Sequence, residues 1–327
     1  MNILKVDRRY FPILVTVALF IVMFAAGSIE YNGFFSLQVF LNLLIDNSFL
    51  LITAVGMTFV ILTGGIDLSV GSMIAFTTML SATLVQNHHW SPMLVIPFVL
   101  FVGSFFGWVM GSLIQYFKLQ PFIVTLAGMF LARGLCYLIS IESITIDNEW
   151  YKFMSQTKVY LFGKNYISIS VIIALVVVAA AIYIAHYTRF GRNVYALGGS
   201  EQSSLLMGLP VARTKILVYT LSGFCSSLAG VVFTFYMLSG YGLHAVGIEL
   251  DTIAAVVIGG TLLTGGTGYV AGTIFGVLIQ GIIQTLIMFQ GTLSSWWTKI
   301  AIGLLLLMFI LLQKVFISRK KKSSAAA

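Results

Sequence analysis

The sequence predicts an all-α integral membrane protein with about ten transmembrane helices. Of its 327 residues, 59% are hydrophobic and only 9% are charged. With a mean hydropathy of +1.01, the chain has too little polar surface to cover a water-soluble globule of this length. Its apolar runs are long and unbroken, whereas membrane β-strands would show alternating segments of about 10 residues, so we expect helical spans.

Each predicted span is an apolar run near the length that an α-helix needs to cross the hydrocarbon core, about 20 residues. In chain order the runs are 11–29, 39–62, 67–86, 92–115, 121–141, 167–187, 215–238, 250–265, 270–289 and 296–313. The first run is longer than a signal-peptide core, which favours a retained first helix. We therefore expect one transmembrane domain over 1–327.

The basic residues predict the orientation of this domain. Positive charge favours the cytoplasmic side, so the N-terminus (1–10) is expected there. Alternation through ten spans then places the 188–214 loop and the basic tail (314–327) on the same side, while the 142–166 loop with its mixed charge lies opposite. An odd number of spans would put the tail outside, so ten is favoured. The net charge of +8 therefore reports orientation rather than nucleic-acid binding.

One short motif occurs twice. LTGG at 62–65, within the stretch LTGGIDLSVGS, recurs at 263–266, and each copy separates two predicted spans. Transporters are often built from repeats whose broken helices flank the solute path, so the pair indicates a possible internal repeat with broken or re-entrant helices. Glycine-rich turns that look alike by chance remain the alternative.

Glycines also recur every four residues on one face of the fourth span, at Gly103, Gly107 and Gly111. In lipid, small residues allow close approach of helix backbones. This face is therefore expected to pack against another helix, within the chain or across a dimer.

Polar residues inside the spans are the candidate pathway residues, because a charge at the bilayer centre costs at least about 2.5–3.5 kcal/mol unless it is paired or hydrated. The candidates for a path that carries a hydroxylated solute are Asp46, Asn47, Asp67, Ser69, Arg133, Glu249 and Asp251. For two of these residues, a purely structural role is favoured over contact with the solute. Arg133 would be the structural partner of a carboxylate, and Asp67 would cap a helix that begins near Leu68.

The sequence contains no catalytic or metal-binding pattern. It has no G-x-x-x-x-G-K-[ST] phosphate loop and no His/Cys cluster at metal-ligand spacing. Cys136 and Cys225 are expected to be small packing residues, and His88–His89 a solvated pair in a loop. We therefore expect a non-enzyme that binds no metal or cofactor, so that any uphill transport draws its energy from an ion gradient or from another subunit.

The 188–214 loop is expected to contain a short amphipathic helix with Ser200 as its N-cap. Its candidate docking residues are Ser200, Glu201, Ser203, Ser204, Leu205, Met207 and Gly208. Two helical turns are marginal in water alone, so this helix must pack on the protein's own span ends or on a partner.

Three segments carry a family resemblance. AVGMTFVILTGGIDLSVGSMIA (54–75), RFGRNVYALGGSEQSSLLMGLPV (189–211) and ELDTIAAVVIGGTLLTGGTGYVAGTIFGVLIQG (249–281) resemble the membrane permease of bacterial sugar ABC importers, the ribose/xylose/galactoside class. More narrowly, LIDNSFL, SIESITI, VYALGGS, LMGLP and GTLSSWWTKIAIG are similar to one of the two permeases of the galactofuranose importer.

The resemblance implies a multi-pass subunit of the bacterial inner membrane that works by alternating access. It would pair with a second permease chain, receive a monosaccharide from a periplasmic binding protein and be driven by a cytoplasmic ATPase, which uses the ATP. In the family, the loop that matches 200–208 supplies the coupling helix that docks on the ATPase. Ser200–Glu201 and Ser203–Ser204 depart from the commonest family pattern but preserve a short helix with a polar start. The alternative is an ion-coupled secondary sugar transporter.

Overall fold

The computed structural model of the chain describes residues 11–161, 163–292, 294 and 296–325. The helices in this part of the chain are α1 (Phe11–Glu30), α2 (Leu37–Asp46), α3 (Ser48–Leu62), α4 (Val70–Ala82), α5 (Pro92–Tyr116), α6 (Pro121–Ile139), α7 (Glu149–Gln156), α8 (Ile169–Tyr187), α9 (Arg189–Gly199), α10 (Glu201–Leu206), α11 (Val211–Met237), α12 (Ile248–Ile258), α13 (Val270–Gln290) and α14 (Trp296–Ala325). A π-helical turn, Thr83–Asn87, continues α4. The strands are β1 (Ile144–Thr145), β2 (Lys158–Tyr160), β3 (Tyr166–Ser168) and β4 (Ser239–Gly240).

The predicted all-α membrane fold is confirmed, but two of the ten predicted spans are not full crossings. Among the described residues, seven single helices are long and apolar enough to cross a bilayer, namely α1, α5, α6, α8, α11, α13 and α14. The bent pair α2 and α3 also meets this criterion when the two helices are taken together as a broken span or a re-entrant loop. The predicted spans 67–86 and 250–265 correspond to the shorter helices α4 and α12.

The predicted span 39–62 is bent rather than straight. Its two helices, α2 and α3, meet at an angle of 59°. Asn47 lies between them, and its side-chain amide donates to Leu43 O at 3.0 Å. A polar side chain that bonds to the backbone in this way competes with the regular helical pattern, so the bend falls at this residue.

The helix α12 reaches only part of the way across the bilayer. The 11 residues of α12 rise about 16 Å, about half the thickness of the hydrocarbon core. α12 ends at Ile258 because Gly259 and Gly260, with a φ of +93° at the second glycine, turn the backbone away. Irregular backbone precedes each of the helices α4 and α12. We call residues 63–69 the inner segment and residues 239–247 the outer segment.

Contacts place the basic loops at one end of the bundle. A Cβ added to Gly111 of α5 would lie 3.0 Å from Ile216 Cα of α11, so the end of α5 and the start of α11 are neighbours. The Tyr195 hydroxyl of α9 donates to Gly268 O at 2.8 Å, which brings the 188–214 loop to the turn before α13. We call this the basic end, and its cytoplasmic orientation remains a prediction. Residues 1–10 lie outside the described residues, and the 314–327 tail is helical as far as Ala325.

The glycine face of α5 packs within the chain, against α11. A Cβ on Gly103 would lie 2.8 Å from Gly223 O, and one on Gly107 would lie 3.2 Å from Thr220 Cα. Such spacing brings backbone against backbone, the arrangement expected for small residues in lipid. α11 also packs against α3 and α4, so it forms the centre of the bundle.

The opposite end of the bundle is covered by the 142–166 loop, which contains secondary structure of its own. β1 pairs with β4 in antiparallel register, Ile144 opposite Gly240. The strands β2 and β3 form a second antiparallel pair. Asn148 caps α7 by accepting from Trp150 N at 3.0 Å. The β1–β4 pair ties this loop to the start of the outer segment.

Candidate functional site

The two short helices meet at their N-terminal ends inside the bundle. A Cβ added to Gly71 at the start of α4 would lie 2.7 Å from Ala245 O and 3.5 Å from Glu249 N, at the start of α12. This meeting point is one length of α12 away from the basic end, because α12 runs from here to the turn at 259–268. The first turns of α4 and α12 therefore meet in the interior of the bundle, and in α12 the N–H groups of Ile248, Leu250 and Asp251 already bond to Ala245 O and Gly247 O.

Asp67 holds the inner segment in place. Its Oδ1 accepts from Ser69 N at 3.0 Å and from Ser69 Oγ at 2.6 Å, and its Oδ2 accepts from Ser222 Oγ of α11 at 2.7 Å. The prediction that Asp67 caps a helix beginning near Leu68 is wrong in detail, because α4 begins at Val70 and the hydrogen bond is to Ser69, ahead of the helix.

Neither Asp67 nor Ser69 lines an accessible surface in this structure. Asp67 is fully buried, and Ser69 is 1% exposed. A buried carboxylate that accepts three hydrogen bonds is satisfied internally. These two residues fasten the irregular backbone to α11.

Arg133 fastens the outer segment. Its Nη1 donates to Gly242 O at 2.6 Å and to His244 O at 2.7 Å. The expected structural role is present, but the partners are backbone carbonyls rather than a carboxylate. An irregular segment in a membrane must have its polar backbone groups satisfied, and Arg133 does this for two carbonyls at once.

Glu249 and His244 present polar atoms beside the meeting point. Glu249 Oε2 and His244 Nδ1 are buried and have no hydrogen-bond partner among the described residues. The His244 ring lies edge to face with Phe233 at 5.2 Å and with Tyr241 at 5.7 Å between ring centroids. His244 was not among the candidates from sequence, because its neighbourhood arises only when the outer segment folds inward.

Asp251 forms an ion pair that the sequence did not predict. Its Oδ2 lies 2.5 Å from Lys299 Nζ of α14, with the Asp251 side chain 9% and the Lys299 side chain 49% exposed. Gln280 of α13 donates to Asp251 O at 2.8 Å. These contacts join α12 to α13 and α14. In the sequence, Lys299 is a single cation in the otherwise apolar predicted span 296–313, and this isolated charge could have indicated an ion pair.

Asp46 and Asn47 lie apart from this meeting point, at the bend between α2 and α3. Asp46 is exposed, whereas Asn47 is buried with its amide bonded to Leu43 O. The seven candidate pathway residues therefore do not line one common surface. Only Glu249 has an unpartnered polar atom next to the junction of α4 and α12.

The short helix predicted in the inner loop is α10. Ser200 is its N-cap and accepts from Ser203 N at 3.2 Å, as predicted. Gly208, with a φ of +72°, ends the turn that follows. Glu201 is bound within the chain, since its carboxylate lies 2.7 Å from Lys215 Nζ of α11. Ser204 is buried.

The C-terminal end of α10 exposes apolar side chains. Leu205 is 56%, Leu206 84% and Met207 67% exposed at the basic end. Leu206 was not among the candidates from sequence, although it is the most exposed of the three. These adjacent apolar side chains lie beyond the span ends and are not covered by other described residues.

The preceding helix α9 was missed by the sequence reasoning. Thr188 caps it by accepting from Gly191 N at 3.2 Å, and Val194 and Leu197 are buried against the bundle. The signal was present in the pattern of RFGRNVYALGG, which places apolar residues on one helical face.

The short helices and the irregular segments before them indicate the class of protein. The described residues include no group of three or more His, Cys, Asp or Glu side chains that could hold a metal ion. Short helices that begin inside the bilayer after irregular backbone are a feature of membrane transport proteins. The fold and the site therefore define a multi-pass membrane transport subunit.

The comparison with protein families agrees. Residues 39–310 match the family described as "branched-chain amino acid transport system / permease component", and the chain belongs to this family. It is accordingly a non-catalytic permease component that resides in the inner membrane.

Several curated relatives match nearly end to end. The chain is 51% identical to the inner membrane ABC transporter permease protein YjfF of Escherichia coli, over 94% of this chain and 93% of the relative. It is 42% identical to the fructose import permease protein FruG of Bifidobacterium longum, over 95% and 92%. It is 40% identical to the ribose import permease protein RbsC of Haemophilus influenzae, over 89% and 90%. No solved structure matches the chain.

Proposed function

We propose that this chain is the membrane-spanning subunit of an ATP-driven ABC importer that carries a monosaccharide across the bacterial inner membrane. Its similarity to permeases named for fructose and ribose supports a sugar substrate. Galactofuranose is the specific sugar that we propose, on the basis of the shorter stretches LIDNSFL, SIESITI and GTLSSWWTKIAIG.

The observation that carries an ATP-driven mechanism is the exposed apolar end of α10. Leu206 and Met207 are uncovered at the basic end, where water rather than lipid is expected. The full sequence contains no phosphate-binding loop of its own. A chain that lacks a nucleotide site but presents a docking helix is suited to receive its energy from a separate cytoplasmic ATPase.

Two further partners complete the proposed importer. A second permease chain pairs with this one in the membrane, and a periplasmic binding protein delivers the sugar to the opposite end. Binding and release of ATP by the ATPase move α10 and open the central path to one side and then to the other. This chain binds no nucleotide in that cycle.

The proposed solute path passes the meeting point of α4 and α12. A sugar needs hydrogen-bonding partners to replace its water, and the unpartnered side-chain atoms Glu249 Oε2 and His244 Nδ1 are available there. Asp67, Ser69 and Arg133 support the path by holding the two irregular segments in position.

The decisive experiment is uptake into vesicles that contain this chain with its co-expressed neighbours. We expect uptake of labelled galactofuranose that requires ATP and is competed weakly by ribose and fructose. If uptake depends on ATP but ribose or fructose competes strongly, we would conclude that this sugar, and not galactofuranose, is the substrate. Uptake by the chain alone, driven by an ion gradient and indifferent to ATP, would instead establish a secondary transporter.

Docking of the ATPase on α10 has its own test. Leu206→Ala should weaken ATPase association at least tenfold, because it removes the most exposed apolar side chain of α10. Leu138→Ala is the matched control, since Leu138 is 82% exposed, close to the 84% of Leu206, but ends α6 at the opposite end of the bundle. Equal association of both variants in co-purification would exclude α10 as the docking helix.

A further inference from the structure

Three pairs of glycines meet at the basic end, and together they form what we call the glycine junction. The pairs are Gly64–Gly65 and Gly265–Gly266 in the two LTGG turns, and Gly198–Gly199 at the end of α9. The carbonyl of Leu62, the last residue of α3, accepts from Gly266 N at 2.9 Å. The two LTGG turns, which begin at residues 62 and 263, are thus joined by a backbone hydrogen bond.

Gly198 is in direct contact with both turns. A Cβ at this position would collide with Leu62 O and Gly266 N, and it would lie 3.0 Å from Leu62 C. Reciprocally, a Cβ on Gly266 would lie 2.8 Å from Gly199 N and 3.0 Å from Gly198 C. The contact is therefore backbone on backbone, with no side chain between the three segments that could absorb a displacement by changing its rotamer.

Two side-chain contacts hold α9 in this position. The Tyr195 hydroxyl donates to Gly268 O, just beyond the second LTGG turn. The Phe190 ring stacks on Phe59 of α3 at a centroid distance of 6.1 Å. α9 is consequently fixed to the helix before the first turn and to the residues after the second turn.

The junction lies between the docking helix and both short helices. On one side, Gly199 is followed directly by Ser200, the N-cap of α10. On the other side, the first turn leads through the inner segment to α4, and the second turn follows α12. A displacement of α10 therefore reaches the inner ends of both halves of the candidate path through one close contact.

We propose that Gly198 is the positioning residue that transmits movement of α10 to both LTGG turns at once. This inference rests on the proposed function, because it requires that a partner moves α10. It concerns the coupling of transport to ATP hydrolysis and not the sugar site.

Gly198→Ala and Gly199→Ala form a matched pair of variants that test the inference. Both residues end the same helix, and both substitutions raise helix propensity in the same way. Only the first introduces a clash, since a Cβ on Gly199 has no atom within 4 Å. The difference between the variants therefore isolates the junction contact.

The measurement is the number of ATP molecules hydrolysed per sugar imported, in vesicles that contain the complete importer. We expect Gly198→Ala to reduce uptake at least tenfold while hydrolysis by the assembled complex continues, and Gly199→Ala to match the wild type. An unchanged ratio in Gly198→Ala, or an equal loss in both variants, would overturn the inference.

A milder variant decides the outcome if Gly198→Ala does not assemble. Tyr195→Phe removes only the hydroxyl bonded to Gly268 O, and it should raise the ATP-to-sugar ratio two- to fivefold in an intact complex. Wild-type coupling in Tyr195→Phe would then refute the inference. Absence of ATP-dependent uptake by the wild-type complex would refute the proposed function itself, and the inference with it.

Discussion

Asp67→Ala should destabilise the protein by about 1–6 kcal/mol. The substitution leaves Ser69 N–H and the Ser222 hydroxyl without their acceptor in a fully buried site. An unsatisfied buried polar group costs about 1–3 kcal/mol, and two such groups give the upper part of the range. The Ser222 hydroxyl can turn to a carbonyl of its own helix, which gives the lower part. Asp67→Asn should cost less than about 1.5 kcal/mol, since its amide oxygen keeps the bonds from Ser69.

The two cysteines of the protein can serve as a probe of the stability of these variants. Cys136 and Cys225 are both free and buried, so a maleimide that fluoresces on reaction with thiols reports their exposure during unfolding in detergent. We expect the transition of Asp67→Ala to move to lower temperature or lower denaturant concentration, with Asp67→Asn between it and the wild type. Wild-type stability of Asp67→Ala would show that the inner segment is not held by this carboxylate. An equal loss in both variants would show that charge, rather than hydrogen bonding, is what matters.

Two further predictions use the same thiol assay. Lys299→Met should cost about 1–3 kcal/mol, less than a fully buried pair would, because it leaves Asp251 without a cation while Lys299 itself is half exposed. Asp251→Asn should cost less, since Lys299 can then reach water, and the opposite order would contradict this account. Gly107→Ala should be destabilising, because its Cβ would press on the α11 backbone, whereas Gly134→Ala, with open space around it, should be neutral or stabilising. Equal effects of the two alanines would argue against close packing of α5 on α11.

The sequence was sufficient for the order of the helices and for several local features. Apolar runs predicted ten helical segments in the observed order, and a serine before an acidic residue predicted the N-cap of α10 at Ser200. The glycine spacing of α5 predicted a packed face. These features depend on residues close together in the chain, which is why a single sequence reveals them.

The sequence did not predict features that arise from packing between distant segments. Hydropathy does not distinguish a full span from a short helix preceded by buried irregular backbone, so α12 was expected to continue to residue 265. Arg133 was expected to pair with a carboxylate, but the segment that folds against it offers carbonyls instead. Helix rotation depends on neighbours, and this is why Lys299 and His244 were missed.

The hydrogen bond between Asp67 and Ser222 also constrains the order in which the membrane protein is assembled. Its partners are 155 residues apart, which corresponds to roughly 8–30 s of synthesis at 5–20 residues per second. Until α11 is inserted, the carboxylate of Asp67 has only its local bonds from Ser69, and lipid cannot replace the missing bond from Ser222. We therefore expect residues 63–69 to reach their final position in the bilayer only after α11 has been made. Biogenesis of the chain is in this respect governed by its seventh predicted span.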